Sequence, residues 1–122
     1  MNDLNEYLME IAHESMDGIV PWNQPNPSTF IWIKNTDDIY YQVTIQKAVK
    51  ARIKRLGEPR DIKNESVTYM FQVLDRKTKQ TVISLSTSER PELFSALETI
   101  YQSAETGMDV RSANVLRKLL KK

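Results

Sequence analysis

Residues 65–74 alternate. Val67, Tyr69, Phe71 and Val73 make one apolar face, and Ser66, Thr68, Met70 and Gln72 stand between them. A period of two sustained over that length marks a strand with one buried face. Residues 39–46 repeat the pattern, with Ile39, Tyr41, Val43 and Ile45 alternating with Tyr40, Gln42, Thr44 and Gln46. Turn formers bound both runs, Asn35-Thr36-Asp37-Asp38 before one and Asp75-Arg76-Lys77-Thr78-Lys79 after the other. Links this short join antiparallel strands, because a parallel pair needs a crossover of about a dozen residues or more. Residues 29–34 supply a strand before the first turn and residues 80–87 a returning strand after the second. The pattern predicts a four-stranded antiparallel meander. Residues 29–34 are apolar on both faces, so that strand should be central or covered.

Helical spacing appears at both ends of the chain. Leu4, Leu8, Ile11 and Ala12 give residues 3–17 an amphipathic helix, and Gly18 suits its left-handed stop. Residues 23–28, with Pro25 and Pro27, read as a loop. Pro91 fits a first helical turn, and Leu93, Phe94, Leu97, Ile100, Tyr101 and Ala104 build the helix behind it. Gly107 should end that helix. Asp109 should cap a last one over 110–120, with Ala113, Leu116, Leu119 and Leu120 inward. Residues 47–64 fit a short helix through Val49, Ile53 and Leu56, or a strand continuation through Val49, Ala51 and Ile53. The predicted fold is α+β, a single domain over 1–122 in the order α-β-β-β-β-α-α, with the helices packed on one sheet face. The other face would carry Tyr40, Gln42, Thr44, Gln46, Thr68, Met70 and Gln72, and is either solvated or an interaction surface.

Composition narrows the chemistry. The 122 residues include no cysteine, one histidine (His13) and three glycines. Thiolate nucleophiles, cysteine metal sites and a phosphate-cradling glycine loop are therefore unavailable. No nucleophile, base and orienting group can be assembled, so the expectation is a non-enzyme without a cofactor or a metal. No apolar run reaches membrane-spanning length, and the acidic start is not a secretory signal; a cytoplasmic protein is expected. Seventeen Lys plus Arg nearly cancel sixteen Asp plus Glu, for a net charge of +1. The balance hides segregation. Asp3, Glu6, Glu10, Glu14 and Asp17 make the first helix acidic, while residues 47–63 and the C-terminus are basic.

Aromatic rings can stack a base, and arginines bind phosphate bidentately. Trp22, Phe30 and Tyr40, with Arg52, Arg55, Arg60 and Arg111, are the candidate ligand-binding residues on that chemistry. The same aromatics also fit core roles, with Trp22 clamping the first helix onto the sheet, and both readings stand at this point.

A succession of short motifs resembles a group of small domains from phages and mobile elements. It runs from Leu8-Met9-Glu10-Ile11 through Gly18-Ile19-Val20-Pro21-Trp22 to Tyr41-Gln42-Val43-Thr44-Ile45-Gln46-Lys47, then Tyr69 to Asp75, Val82-Ile83, Leu97 to Ala104, and Met108-Asp109-Val110. Residues 48–64 look like an insertion. Glu105-Thr106 stand where that group commonly carries an Arg-Arg pair. The layout is also similar to the phage Thoeris anti-defence sponges, oligomers that sequester cyclic nucleotide immune signals. That resemblance implies an aromatic-and-arginine pocket near a subunit interface and a small nucleotide-type ligand. The functional expectations are therefore sequestration of a nucleotide-derived signal, or a protein-protein inhibitor or adaptor acting on a host factor. Nucleic-acid binding through 47–63 and the C-terminus comes behind these. A homo-oligomer is expected, since a two-sided apolar strand such as Phe30-Ile31-Trp32-Ile33 calls for a second cover.

Overall fold

The computed structural model describes residues 4–51 and 65–120. Helix α1 (Leu4–Met16) leads into five strands: β1 (Asn23–Asn26), β2 (Thr29–Thr36), β3 (Ile39–Ala51), β4 (Glu65–Asp75) and β5 (Gln80–Ser86). A 3-10 turn at Pro91–Leu93 opens helix α2 (Phe94–Leu120). The strands form one antiparallel sheet in the order β1-β2-β3-β4-β5. The α+β meander with helices is thus present; two points differ from the expected layout, and one open alternative, over residues 47–51, is decided.

First, residues 23–26 are a strand. Asn23 pairs with Ile31 and Asn26 with Thr29, and the Asn26 side chain accepts the Ser28 N–H at 3.0 Å to close the turn. Proline is tolerated here because an edge strand has one side with no ladder to serve. Second, β3 runs on through Ala51, opposite Glu65, so residues 47–51 are strand; the rest of 47–64 lies outside the described residues. Third, α2 does not break at Gly107 but runs unbroken for 27 residues. A Cβ at Gly107 would collide with the Ser15 carbonyl oxygen, so this glycine marks where α1 and α2 touch backbone to backbone. The close approach offsets the roughly 1 kcal/mol that glycine costs inside a helix.

Local chemistry accounts for most of the boundaries. Gly18 takes φ +76°, its N–H reaches Ser15 O at 3.1 Å, and the Ile19 N–H reaches Glu14 O at 3.0 Å. That pair of bonds is the Schellman stop. Asp37 and Asp38 both have positive φ, 51° and 63°, as a two-residue turn matched to strand twist requires. Asp75 Oδ1 accepts the Lys77 and Thr78 N–H groups and shapes the β4–β5 turn.

Register decides which side chains meet the helices. Phe30 lies opposite Ile45, Ile45 opposite Phe71, and Phe71 opposite Leu85; all four are buried beneath α2 residues Leu97, Ile100 and Ala104. Among the described residues no helix covers the opposite face. Its central row is Ile31, Thr44, Gln72 and Ser84, flanked by Ile33, Gln42 and Leu74 on one side and Gln46, Met70 and Ser86 on the other.

Helix α2 crosses the sheet from β4 toward β1. Phe94 packs edge-on to Tyr69 of β4 at 5.4 Å. Tyr101 packs against Phe30 of β2 at 5.0 Å and donates its hydroxyl to Pro27 O at 3.0 Å. Arg111 then reaches Trp22, just ahead of β1. Twenty-seven helical residues span about 40 Å, whereas five strands are only about 20 Å across. The last turns of α2 therefore project past the sheet as an arm. Ala113, Leu116, Leu119 and Leu120, expected inward, are exposed there, with Leu119 at 74% and Leu120 at 82%.

Candidate functional site

Four of the seven candidate residues, Trp22, Phe30, Tyr40 and Arg111, are described, and they do not line one pocket. Phe30 (0% exposed) and Trp22 (1%) are core residues, with no ring face open to a ligand. Trp22 donates Nε1–H to Ser15 Oγ at 2.8 Å and packs edge-on to Trp32 at 5.8 Å. It ties the end of α1 to the sheet. Tyr40 is 52% exposed, opposite Asn35 beside the β2–β3 turn. Arg111 is brought beside Trp22, but its Nη2 donates to the Trp22 carbonyl and its aliphatic stem closes over Gly18. Its guanidinium serves the fold on that side. Arg52, Arg55 and Arg60 lie outside the described residues.

Two other features come from the packing. One is an open cleft of about 570 Å³ between the β1–β2 turn, the end of β3 and α2, lined by Pro27, Ser28, Lys47, Val49, Tyr69, Tyr101, Gln102 and Glu105. The Lys47 ammonium stands 5.7 Å from the Tyr101 ring centroid, a cation–π approach. Burial raises the Tyr69 hydroxyl above its ordinary pKa, and the charges of Glu98, Tyr101 and Glu105 add to it. Burial also raises Tyr101, with Glu105 adding to it. Both phenols therefore stay protonated donors at neutral pH. The cleft offers one cation, one carboxylate, an amide and two phenols, a set for a small polar ligand. It has no described nucleophile and base in contact. Among the described residues no group of three or more His, Asp or Glu is placed to hold a metal ion.

The other feature is the arm. At about 100° per residue, Met108, Ser112, Val115 and Leu119 fall on one stripe, with Leu116 at one edge, Lys118 at the other and Arg117 on the far side. Met108, Arg111, Ser112, Val115 and Leu116 also line a shallow groove. The expected spacing is present, yet among the described residues nothing packs against the outer part of the stripe. Lys47, Tyr69 and Tyr101 were visible in the sequence as a cation and two aromatics, but only the crossing angle of α2 gathers them.

Comparison with protein families, with curated proteins and with solved structures returns no match. No described helix is long and apolar enough to cross a membrane.

Proposed function

We propose that the protein is a non-enzymatic binding module that holds another protein through the arm of α2, the adaptor or inhibitor reading of the sequence. One observation carries this. Val115, Leu116, Leu119 and Leu120 are all more than half exposed on a helix that is otherwise packed, and a contiguous apolar stripe on a soluble surface marks a docking site. The partner is a protein groove that accepts an amphipathic helix at i, i+4 and i+7 anchors. Lys118 at the edge of the stripe calls for an acidic rim on that groove, and Arg117 behind it adds to the positive field that would steer the encounter.

The test is co-purification with the tagged full chain against its Leu116→Lys, Leu119→Lys double variant. A protein should be retained by the parent, lost with the variant, and released as salt rises. Equal retention by both, or recovery of a small molecule alone, overturns the reading.

The cleft favours a second reading, sequestration of a nucleotide-derived signal. Lys47 would face a phosphate, and the phenols and Gln102 would meet a base or ribose. Calorimetric titration with cyclic di- and trinucleotides and ADP-ribose isomers tests it. Binding that falls at least tenfold in Lys47→Ala supports it, and no binding below millimolar removes it.

A further inference from the structure

The open sheet face carries no charge across its three register rows, although 27% of the chain is charged. The charges of the same strands lie off these three rows. Lys34, opposite Tyr41, Lys47, opposite Tyr69, and Asp75, opposite Tyr41, share the helix-bearing side. Lys50 shares this face by register, but at the end of β3, opposite Ser66 and two rows beyond Gln46. The other exposed surfaces behave differently, since the outer side of α1 shows Glu10, Glu14 and Asp17 and the arm shows Arg117 and Lys118. A sheet face that meets water ordinarily alternates to polar and charged residues. This one keeps Ile33 and Met70 each 37% exposed, among amides and hydroxyls.

We infer that this face is where two copies of the chain pack, sheet against sheet, about a twofold axis. Such an interface is self-complementary, since each copy presents the same patch. Three rows without charges meet the same rows of a second copy with no like-charge pair to desolvate. Gln and Ser side chains both donate and accept, so identical sets satisfy one another; within one copy Gln72 Nε2 already reaches Ser84 Oγ at 3.4 Å. A nucleic acid or a charged peptide would find no counter-charge here. The area is sufficient. Strand spacing of about 4.8 Å and a rise of about 3.3 Å per residue give a plan of roughly 20 by 25 Å. Pairing two such faces removes on the order of 1,000 Å² or more from water, the threshold of a specific interface. Ile31 and Ile33, the second face of the apolar strand, then gain their cover. The inference stands apart from the arm reading and either can fail alone.

The experiment is light scattering on the full chain at about 100 μM. The parent should show twice the 14.2 kDa chain mass. Thr44→Lys and Gln72→Lys, at the centre of the face, should each be monomeric with a parental circular-dichroism spectrum, and the Leu116→Lys, Leu119→Lys arm variant should stay dimeric. Because the chain has no cysteine, Thr44→Cys gives a single nitroxide site, which should show one short inter-label distance without a charge being introduced. A monomeric parent, lysine variants that remain dimeric, an arm variant that becomes monomeric, or the absence of an inter-label distance would each overturn the inference.

Discussion

At Ser15 three parts of the chain meet within one residue. Its Oγ accepts the Trp22 indole N–H and donates to Ile11 O at 2.6 Å, while its backbone carbonyl faces Gly107. Ser15→Ala would leave the buried Trp22 donor without its acceptor, and should cost about 1–3 kcal/mol in a denaturant melt. Gly107→Ala has a sign that depends on packing. In an isolated helix the change gains about 1 kcal/mol; here the new methyl must push α1 away, and a net loss of about 1–3 kcal/mol is expected from the same melt. Tyr69 and Tyr101 set an alkaline limit. A hydroxyl whose folded pKa is raised contributes stability that is intact below its unfolded value, about 10, and lost as pH climbs through the folded value. Stability should therefore hold up to about pH 10 and fall above it. The share due to each tyrosine is read as the difference in slope between the parent and Tyr69→Phe or Tyr101→Phe, because lysines titrate in the same window.

At the scale of elements, hairpins were legible and helix ends were only partly so. Asp37-Asp38 and Asp75–Lys79 announced their turns because the residues that tolerate positive φ, or accept neighbouring N–H groups, are few. Gly18 announced its stop for the same reason. Gly107 misled because glycine has two uses, ending a helix and letting two backbones touch, and a sequence does not distinguish them. Pro25 misled in the same manner, since an edge strand forgives what a central one would not. The arm separates stability from binding. Leu116→Lys with Leu119→Lys should leave the melting midpoint within about 0.5 kcal/mol of the parent, because these side chains touch no core, while removing partner binding.

At the scale of the molecule, two layers leave three surfaces unequal in charge: an acidic α1, a basic arm and a neutral sheet. Their salt responses should differ. Self-association through the neutral face should be nearly flat between low and high salt, whereas capture by the arm should weaken, because only exposed charges are screened. Sedimentation equilibrium over a salt series checks the first, and co-purification over the same series checks the second. Of the candidate site, the residue types were readable and the assembly was not. Trp22 and Phe30 have the aromatic surface of a ligand platform, but burial used it for the core. Arg111 has the fork of a phosphate reader, but its Nη2 goes to the Trp22 carbonyl and its Nε is buried.

The sequence by itself determined the antiparallel pairing, the two strand faces and the segregation of charge, because each depends on spacing along the chain or on a local turn. Only the tertiary structure decided that α2 is twice as long as the sheet is wide and that, among the described residues, nothing packs on its last turns or covers one sheet face. Those outcomes depend on the angle at which a helix crosses strands and on where two backbones approach, and both are set by contacts between residues far apart in the chain.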